Sequence, residues 1–342
     1  MNGAPGPTAP LRRVLVVKTT SMGDVVHTLP AVTDIARAHP GVAIDWLVEA
    51  QFAAVAALHG DVRRVLPMAW RKWRKRLGER ATWHAIAALR HDLRAERYDC
   101  VIDFQGLLKS ALWAAQAQGP RAGYAWSSAR EPLASVFYAR RAPVAPISAL
   151  HAVDRCRQLA AFALGHALPA TPPDFGLRAP VPSWPPPAPC AVLIACASRP
   201  EKLWPEAHWR SLIAACEARG WTPVLPWGGA EELALVQRIA AGSGAVVPPF
   251  LSVADTAAVL AAARVVVGLD TGFTHLAAAF GRPTVGIYCD YDPGLAGVTG
   301  SGFVRSLGDR GLPPGLDVVM QAFEAACAAA AGPHTASSRS GG

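Results

Sequence analysis

No uninterrupted apolar run in this chain reaches the roughly 18 residues that a membrane-spanning helix needs, although apolar residues make up 51% of it. The one long uncharged stretch, Ala179 to Ser198, is broken by prolines, which remove backbone donors and clash with the preceding helical turn. The leader from Met1 to Pro10 has no charged segment followed by an apolar core, so a signal peptide is not expected. Paired cysteine spacing is missing too. Seven cysteines stand singly at 100, 156, 190, 196, 216, 289 and 327, with no C-x-x-C among them. An odd, scattered set argues against a disulfide frame or a zinc site and for small buried side chains in a reducing compartment. Neither G-x-G-x-x-G nor G-x-x-x-x-G-K-[ST] occurs, which weakens a dinucleotide oxidoreductase or a P-loop enzyme. These absences together describe a cytoplasmic globular protein.

Charged residues are few, at 17%, and acids are scarcer than bases, leaving a formal charge of +8. That balance suits an anionic partner: nucleic acid, an acidic membrane face or a phosphorylated substrate. A length of 342 residues predicts about two domains, each with its own core.

Segment alternation predicts how they are built. In the first half, strands are expected at Leu11–Thr19, Val42–Val48, Arg64–Pro67 and Tyr98–Phe104. Helices are expected at Asp24–Ala38, Gln51–His59, Thr82–Glu96, Leu107–Gln118 and Leu150–Leu164. Strands alternating with helices of this length predict a parallel sheet wound on both faces. Dense proline from Pro169 to Pro189 then reads as an extended, semi-rigid connector. Beyond it, strands are expected at Ala191–Cys196, Pro223–Trp227, Ala245–Val247, Arg264–Gly268 and Thr284–Tyr288, and a last helix at Leu316–Ala331. The expected division is a flexible leader 1–10, a Rossmann-like domain 11–168, a linker 169–189, a second Rossmann-like domain 190–331 and a disordered tail 332–342. Two such sheets predict a cleft between them for a substrate.

The stretch Lys18 to Pro30 organises the first domain. It links a buried β-branched run, Val14–Val17, to a segment with apolar residues at Val25, Leu29, Val32 and Ile35, the spacing of one helix face. Gly23 permits a sharp turn or close ligand approach, and Asp24 falls where free helix N–H groups favour a carboxylate. Two readings of Asp24 stand, a functional carboxylate and a plain helix cap. Pro30 either opens the main helix or kinks it. The dense basic run Arg71-Lys72-Trp73-Arg74-Lys75-Arg76 is either a binding loop for phosphates, membrane or nucleic acid, or a solvated loop.

In the second domain, Val265–Gly268 runs into Asp270-Thr271-Gly272 and an alanine-rich segment containing His275. Free N–H groups, a hydroxyl and a glycine suit a pyrophosphate, while a capping aspartate with a packed histidine is the simpler alternative. The loop Ala197-Ser198-Arg199-Pro200-Glu201-Lys202 could hold the phosphates of a leaving nucleotide or be a solvated loop. Asp290-Tyr291-Asp292, followed at once by Pro293-Gly294, reads as a surface loop sooner than as a metal-holding pair.

Taken together, K-T-T-S-M-G-D-V-V-H-T-L-P (18–30), V-I-D-F-Q-G-L-L-K-S (101–110), S-A-R-E-P-L-A-S-V-F-Y (128–138), K-L-W-P-E-A-H-W (202–209), L-P-W-G (225–228), D-T-G-F-T-H-L-A-A-A (270–279) and D-P-G-L (292–295) resemble the lipopolysaccharide heptosyltransferases of glycosyltransferase family nine. The first motif is in the type I version, and the resemblance spans about residues 11–330. It implies an α/β, GT-B fold of two Rossmann-like domains. It also implies inverting transfer of heptose from ADP-heptose to the inner Kdo of Kdo-lipid A, with no metal and no cofactor. Peripheral contact with the anionic cytoplasmic face of the inner membrane, and no nucleic acid, follow as partner expectations.

Residue by residue, the resemblance makes Asp24 the catalytic base and Lys202 the group that holds the donor phosphates. Ser198, Glu231, Asp270, Thr271, Gly272 and His275 fall on the donor side. Gly23, Arg71, Lys72, Trp73, Arg74, Lys75, Arg130 and His151 fall on the acceptor side. Two departures from the family pattern stand out. Ala197 occupies the place of one of two threonines, and the nucleotide-contacting glutamate aligns without gaps to Ala230, with Glu231 and Glu232 just beyond. A family member with another core acceptor, a nucleotide-sugar epimerase and a non-catalytic anionic-lipid or nucleic-acid binder are the competing readings.

Overall fold

The computed structural model describes residues 10–331. The leader up to residue 9 and the tail expected at 332–342 lie outside the described residues. The chain forms two compact units: the first runs to Val181 and includes Gly294–Gly297, and the second begins at Pro182.

The first unit carries β1 (Arg13–Val17), β2 (Ala43–Glu49), β3 (Val62–Met68), β4 (Cys100–Asp103), β5 (Arg121–Tyr124) and β6 (Arg140–Ala142), in spatial order β3-β2-β1-β4-β5-β6. All pair in parallel, with Val16 opposite both Trp46 and Ile102. From Val14 to Val17 every β1 side chain is buried, as a strand covered on both faces requires. One face packs Leu15, Val17, Leu47 and Val101 against Leu89, Leu93 and Trp113. Helix Met22–Ala38 runs on through Pro30 without a break, so Pro30 does not open it, and packs against helix Ala152–Leu164. The buried pair Arg157 Nε to Asp34 Oδ2, 2.7 Å, joins those two helices.

Strands β5 and β6 escape the sequence pattern because R-A-G-Y and R-R-A are too short and too polar to show alternation. Gly123 in β5 is required by packing, since a Cβ there would lie 2.3 Å from the Tyr138 ring. The proline-rich stretch is not free at its start. Gly60 N donates to Gly176 O at 2.9 Å and Arg178 N to Leu58 O at 2.9 Å, binding residues 176–178 to the first unit.

The second unit carries β7 (Cys190–Ile194), β8 (Thr222–Val224), β9 (Val265–Leu269), β10 (Thr284–Tyr288) and β11 (Val304–Gly308), again all parallel, in the order β11-β10-β9-β7-β8. Ala245–Val247 is not a strand: it makes one bridge, Val224 to Val246. Strand β11, V-R-S-L-G, was hidden by its mixed composition and is only half-buried.

In each sheet the strand order reverses once, between β1 and β4 in the first unit and between β7 and β9 in the second. Open parallel sheets bind ligands beyond the carboxyl ends of the strands at that point. The two clusters described next sit there.

Candidate active site

In the first unit, Lys18 follows directly on β1 and Asp24 lies in the first turn of the following helix. Asp24 does cap: its Oδ2 accepts from Ser21 N at 2.8 Å and Ser21 Oγ at 2.9 Å. Its other oxygen is not used for capping. Oδ1 lies 3.4 Å from Lys18 Nζ, and Lys18 also donates to Phe104 O at 3.0 Å. Asp24 therefore caps the helix with one oxygen and turns the other toward Lys18. Burial pushes this carboxyl up, but Lys18, the Ser21 N–H, His27 and Arg130 outweigh it and bring it from 3.8 to about 2. Asp24, Lys18, His27, Gln105 and Arg130 border a cavity of about 40 Å³.

Gln105 fixes the loop before the helix, its Oε1 accepting from Thr19 N and Thr20 N, both at 3.0 Å. Lys18, His27 and Gln105 were not singled out from sequence. The signal for Lys18 was its place at the end of a buried strand, where a charge needs a partner.

Asp103, at the end of β4, is the other carboxylate near this edge. It is fully buried and engaged by Gln105 N, Gly106 N, Ser110 Oγ and Tyr138 OH. Burial raises its pKa against those four donors. A carboxylate so enclosed organises the turn and has no face left for a substrate.

His151 opens helix Ala152–Leu164. Its Nδ1 accepts from Val153 N at 3.3 Å, and Nε2 lies 3.1 Å from Gly297 O, in the short segment that packs with this unit. The His27 and His151 rings meet edge to face at 5.6 Å. Gly23 is half-buried beside Asp24, and Arg130 is exposed.

The basic run forms a helical turn, Trp70–Trp73, in place of a loop. Arg71, Lys72, Arg74 and Lys75 are exposed, but Trp73 is not. Its ring is buried against Trp113 at 5.8 Å, so it anchors the turn and presents no ring to an acceptor. An aromatic inside a basic run satisfied the sequence reading, while burial claimed it for the core. Glu49 Oε1 holds the turn by accepting from Arg71 N at 2.9 Å. Lys109, half-buried, joins this cluster: burial lowers its pKa, and Arg71 and Arg74 lower it further.

In the second unit, Lys202 and Asp270 form the central pair. Lys202 Nζ lies 2.5 Å from Asp270 Oδ2 and donates to Asp270 O at 3.2 Å. Buried His275 places Nε2 3.5 Å from Asp270 Oδ1. Burial raises the Asp270 carboxyl, but His275 and Lys202 prevail and bring it from 3.8 to about 2. Thr271 and Gly272 start helix Gly272–Ala279, leaving its first N–H groups at the sheet edge. Gly268 keeps that helix close to the sheet, since a Cβ there would lie 2.4 Å from Thr274 Oγ1.

Ser198 is exposed in the loop that carries Lys202. Of the paired glutamates, Glu231 is exposed in the first turn of helix Ala230–Ala240. Glu232 turns back so that its Oε2 accepts from Gly228 N at 2.7 Å, close to L-P-W-G. Asp290 accepts from Arg199 Nη2 at 2.6 Å. Among the described residues, no three His, Cys, Asp or Glu side chains gather in a metal-binding group.

Two carboxylates, each held ionised beside a lysine at a sheet switch point, make one edge suited to taking a proton and the other to holding an anion. The family model for glycosyltransferase family 9 (heptosyltransferase) matches residues 86–307. Lipopolysaccharide heptosyltransferase 1 of Pseudomonas aeruginosa is 48% identical over 292 residues, covering 84% of this chain and 81% of that protein. The protein of the same name in Escherichia coli K12 is 45% identical over 289 residues, 83% and 90% of the two chains. The solved structure of E. coli heptosyltransferase WaaC with ADP superposes with a TM-score of 0.83 at 40% identity, covering 92% of this chain and 99% of that one. WaaC with ADP-2-deoxy-2-fluoro heptose gives 0.81. These matches show two parallel α/β domains of the GT-B fold, and the chain belongs to glycosyltransferase family 9, the heptosyltransferases.

Proposed function

We propose that this protein transfers L-glycero-D-manno-heptose from ADP-heptose to the inner Kdo of Kdo-lipid A, with inversion and without a metal ion. The observation that carries the reading is the ionised Asp24 carboxylate at the first sheet's switch point, with one oxygen left free of the cap. Support comes from the relatives named lipopolysaccharide heptosyltransferase 1 and from WaaC structures that hold ADP and a fluorinated ADP-heptose.

A sugar hydroxyl is a poor nucleophile until its proton leaves. Asp24 takes that proton as the oxygen bonds to the anomeric carbon. A carboxyl near 2 is a weak base for a resting alcohol. The attacking oxygen becomes oxonium-like as the bond forms, though, and is then far more acidic than the carboxyl. Transfer late in bond formation is thus downhill, and Lys18 keeps the base ionised until then.

On the donor side, the anomeric carbon–oxygen bond breaks and ADP leaves with its electron pair. Lys202 and the N–H groups at the start of helix Gly272–Ala279 meet the charge that develops. Asp270 and His275 hold Lys202 in position. Thr271 and Gly272 allow the phosphates to approach the helix start, and Ser198 with one of Glu231 and Glu232 completes the nucleotide contacts.

On the acceptor side, Gly23, Arg130 and His151 flank the base, and Arg71, Lys72, Arg74 and Lys75 meet the lipid A phosphates. We also propose peripheral contact with the anionic cytoplasmic membrane face. Exposed Leu77 and Trp83 adjoin the basic turn, with the Trp83 indole N–H donating to Leu77 O at 2.7 Å. Leu112, one turn beyond Lys109, and Leu133 and Val136 are also exposed. Apolar side chains beside clustered cations fit an anionic bilayer surface. No helix is long and apolar enough to cross a membrane among the described residues.

The testing experiment is incubation with ADP-heptose and Kdo-lipid A, with and without excess EDTA, following ADP release. The expected result is release that depends on Kdo-lipid A and survives EDTA. Release only with an already heptosylated core would shift the acceptor. Loss restored by magnesium would overturn the metal-free mechanism.

A further inference from the structure

We propose that Arg199 is a second diphosphate-binding residue, which Asp290 holds in the free protein and releases to the nucleotide. The inference rests on the reading of this edge as the ADP-heptose site and adds a residue to it.

The loop after β7 delivers two cations three residues apart, Arg199 and Lys202, with Lys202 N donating to Arg199 O at 3.1 Å. Each cation meets a carboxylate from a different strand end. Lys202 meets Asp270, just past β9, and Arg199 meets Asp290, just past β10. Those strands are neighbours, tied at this edge by Asp270 N donating to Ile287 O at 2.9 Å. Two parallel ion pairs thus span the sheet edge on which helix Gly272–Ala279 begins.

The pairs differ in how firmly they are held. Lys202 and Asp270 side chains are 17% and 15% exposed, whereas Arg199 and Asp290 are 55% and 30% exposed. An exposed pair contributes little net stability, so its exchange for another anion costs little. A diphosphate offers more charge and more acceptor oxygens than one carboxylate, and a guanidinium fork matches phosphate oxygens two at a time. Arg199 is also long enough and solvated enough to turn without disturbing the core. Asp290 then serves as a placeholder that keeps the guanidinium at the sheet edge and competes weakly with the ligand.

Titration calorimetry with ADP on the full chain, at low and at physiological salt, tests this. Arg199→Gln should weaken ADP binding about tenfold or more and leave the affinity for adenosine, which lacks the diphosphate, unchanged. Asp290→Asn should tighten ADP by a few-fold. In the Arg199→Gln background, Asp290→Asn should bring little further gain. ADP affinity indifferent to Arg199→Gln would overturn the proposal. So would a full Asp290→Asn gain in the double variant, which would mean simple relief of repulsion. Equal weakening by both single variants would make the pair a structural tether and overturn it as well. Parent protein that fails to bind ADP at all would instead remove the donor-site reading beneath it.

Discussion

Lys18 Nζ lies 3.4 Å from Asp24 Oδ1 and 3.0 Å from the Phe104 carbonyl, so one buried ammonium links the ends of β1 and β4 to the first turn of a helix. It is foremost among the groups that hold the Asp24 carboxyl down against burial. Lys18→Met removes that opposition, and the Asp24 pKa should rise. For the parent, kcat/KM against pH should show no acid limb from Asp24 above about pH 4, because the group settles near 2. For Lys18→Met an acid limb should enter the measured range and kcat should fall. An unchanged profile would mean Lys18 does not govern the base.

Acid stability follows from two carboxyls. Asp24 and Asp270 are each lowered from 3.8 to about 2 on folding. A depressed carboxyl contributes stability in full above its unfolded pKa and loses it as pH falls through the folded one. The contribution is about 2 kcal/mol each, present above pH 4 and gone below about pH 2. Asp103, raised by burial, works in the opposite direction, its cost easing on protonation. Urea unfolding at pH 6, 4 and 3 should show stability falling with pH, with a shallower fall in Asp270→Asn.

The buried pair Arg157–Asp34 joins the helices that carry Asp24 and His151. Removing one partner leaves a charge without its counter-ion in the core, so Arg157→Met should cost about 3–5 kcal/mol. Thermal melts read this directly. A loss under 1 kcal/mol would place the pair in solvent contact.

Neutralising Arg71, Arg74 and Lys75 together should raise the acceptor KM and leave ADP affinity unchanged. The effect should shrink at high salt, since exposed charges are screened beyond about 8 Å at physiological ionic strength. Unchanged acceptor kinetics would return the run to a solvated surface.

Much of this site was legible because the chemistry sits where strand turns into helix. β1, β4, β7, β9 and β10 are buried, β-branched runs, and Asp24, Lys202 and Asp270 lie in the strand-to-helix segments that follow three of them. What stayed hidden depends on contacts distant in sequence. The tie of Lys18 to the Phe104 carbonyl, the enclosure of Asp103 by Tyr138 and the pairing of Arg199 with Asp290 across 91 residues leave no local pattern. Trp73 misled for the same reason: a basic neighbourhood describes the backbone turn, while the ring's partner, Trp113, lies 40 residues on. The strands β5, β6 and β11 hold their places through parallel pairing with their neighbours in the sheet, so their own residues carry little strand signal.

The central claim is that Asp24 is the general base, and Asp24→Asn tests it most directly. Asparagine keeps the shape and can still accept from Ser21 N, so the helix cap survives and the melting temperature should move little. ADP binding should also persist, because Lys202 and Asp270 belong to the other unit. What asparagine cannot do is take a proton, and loss of a general base costs about 10²–10⁴ in rate. Steady-state kcat with ADP-heptose and Kdo-lipid A should therefore fall by at least a hundredfold in a folded, ADP-binding protein, about the lower end of that range. A folded Asp24→Asn variant with kcat within a few-fold of the parent would contradict the assignment.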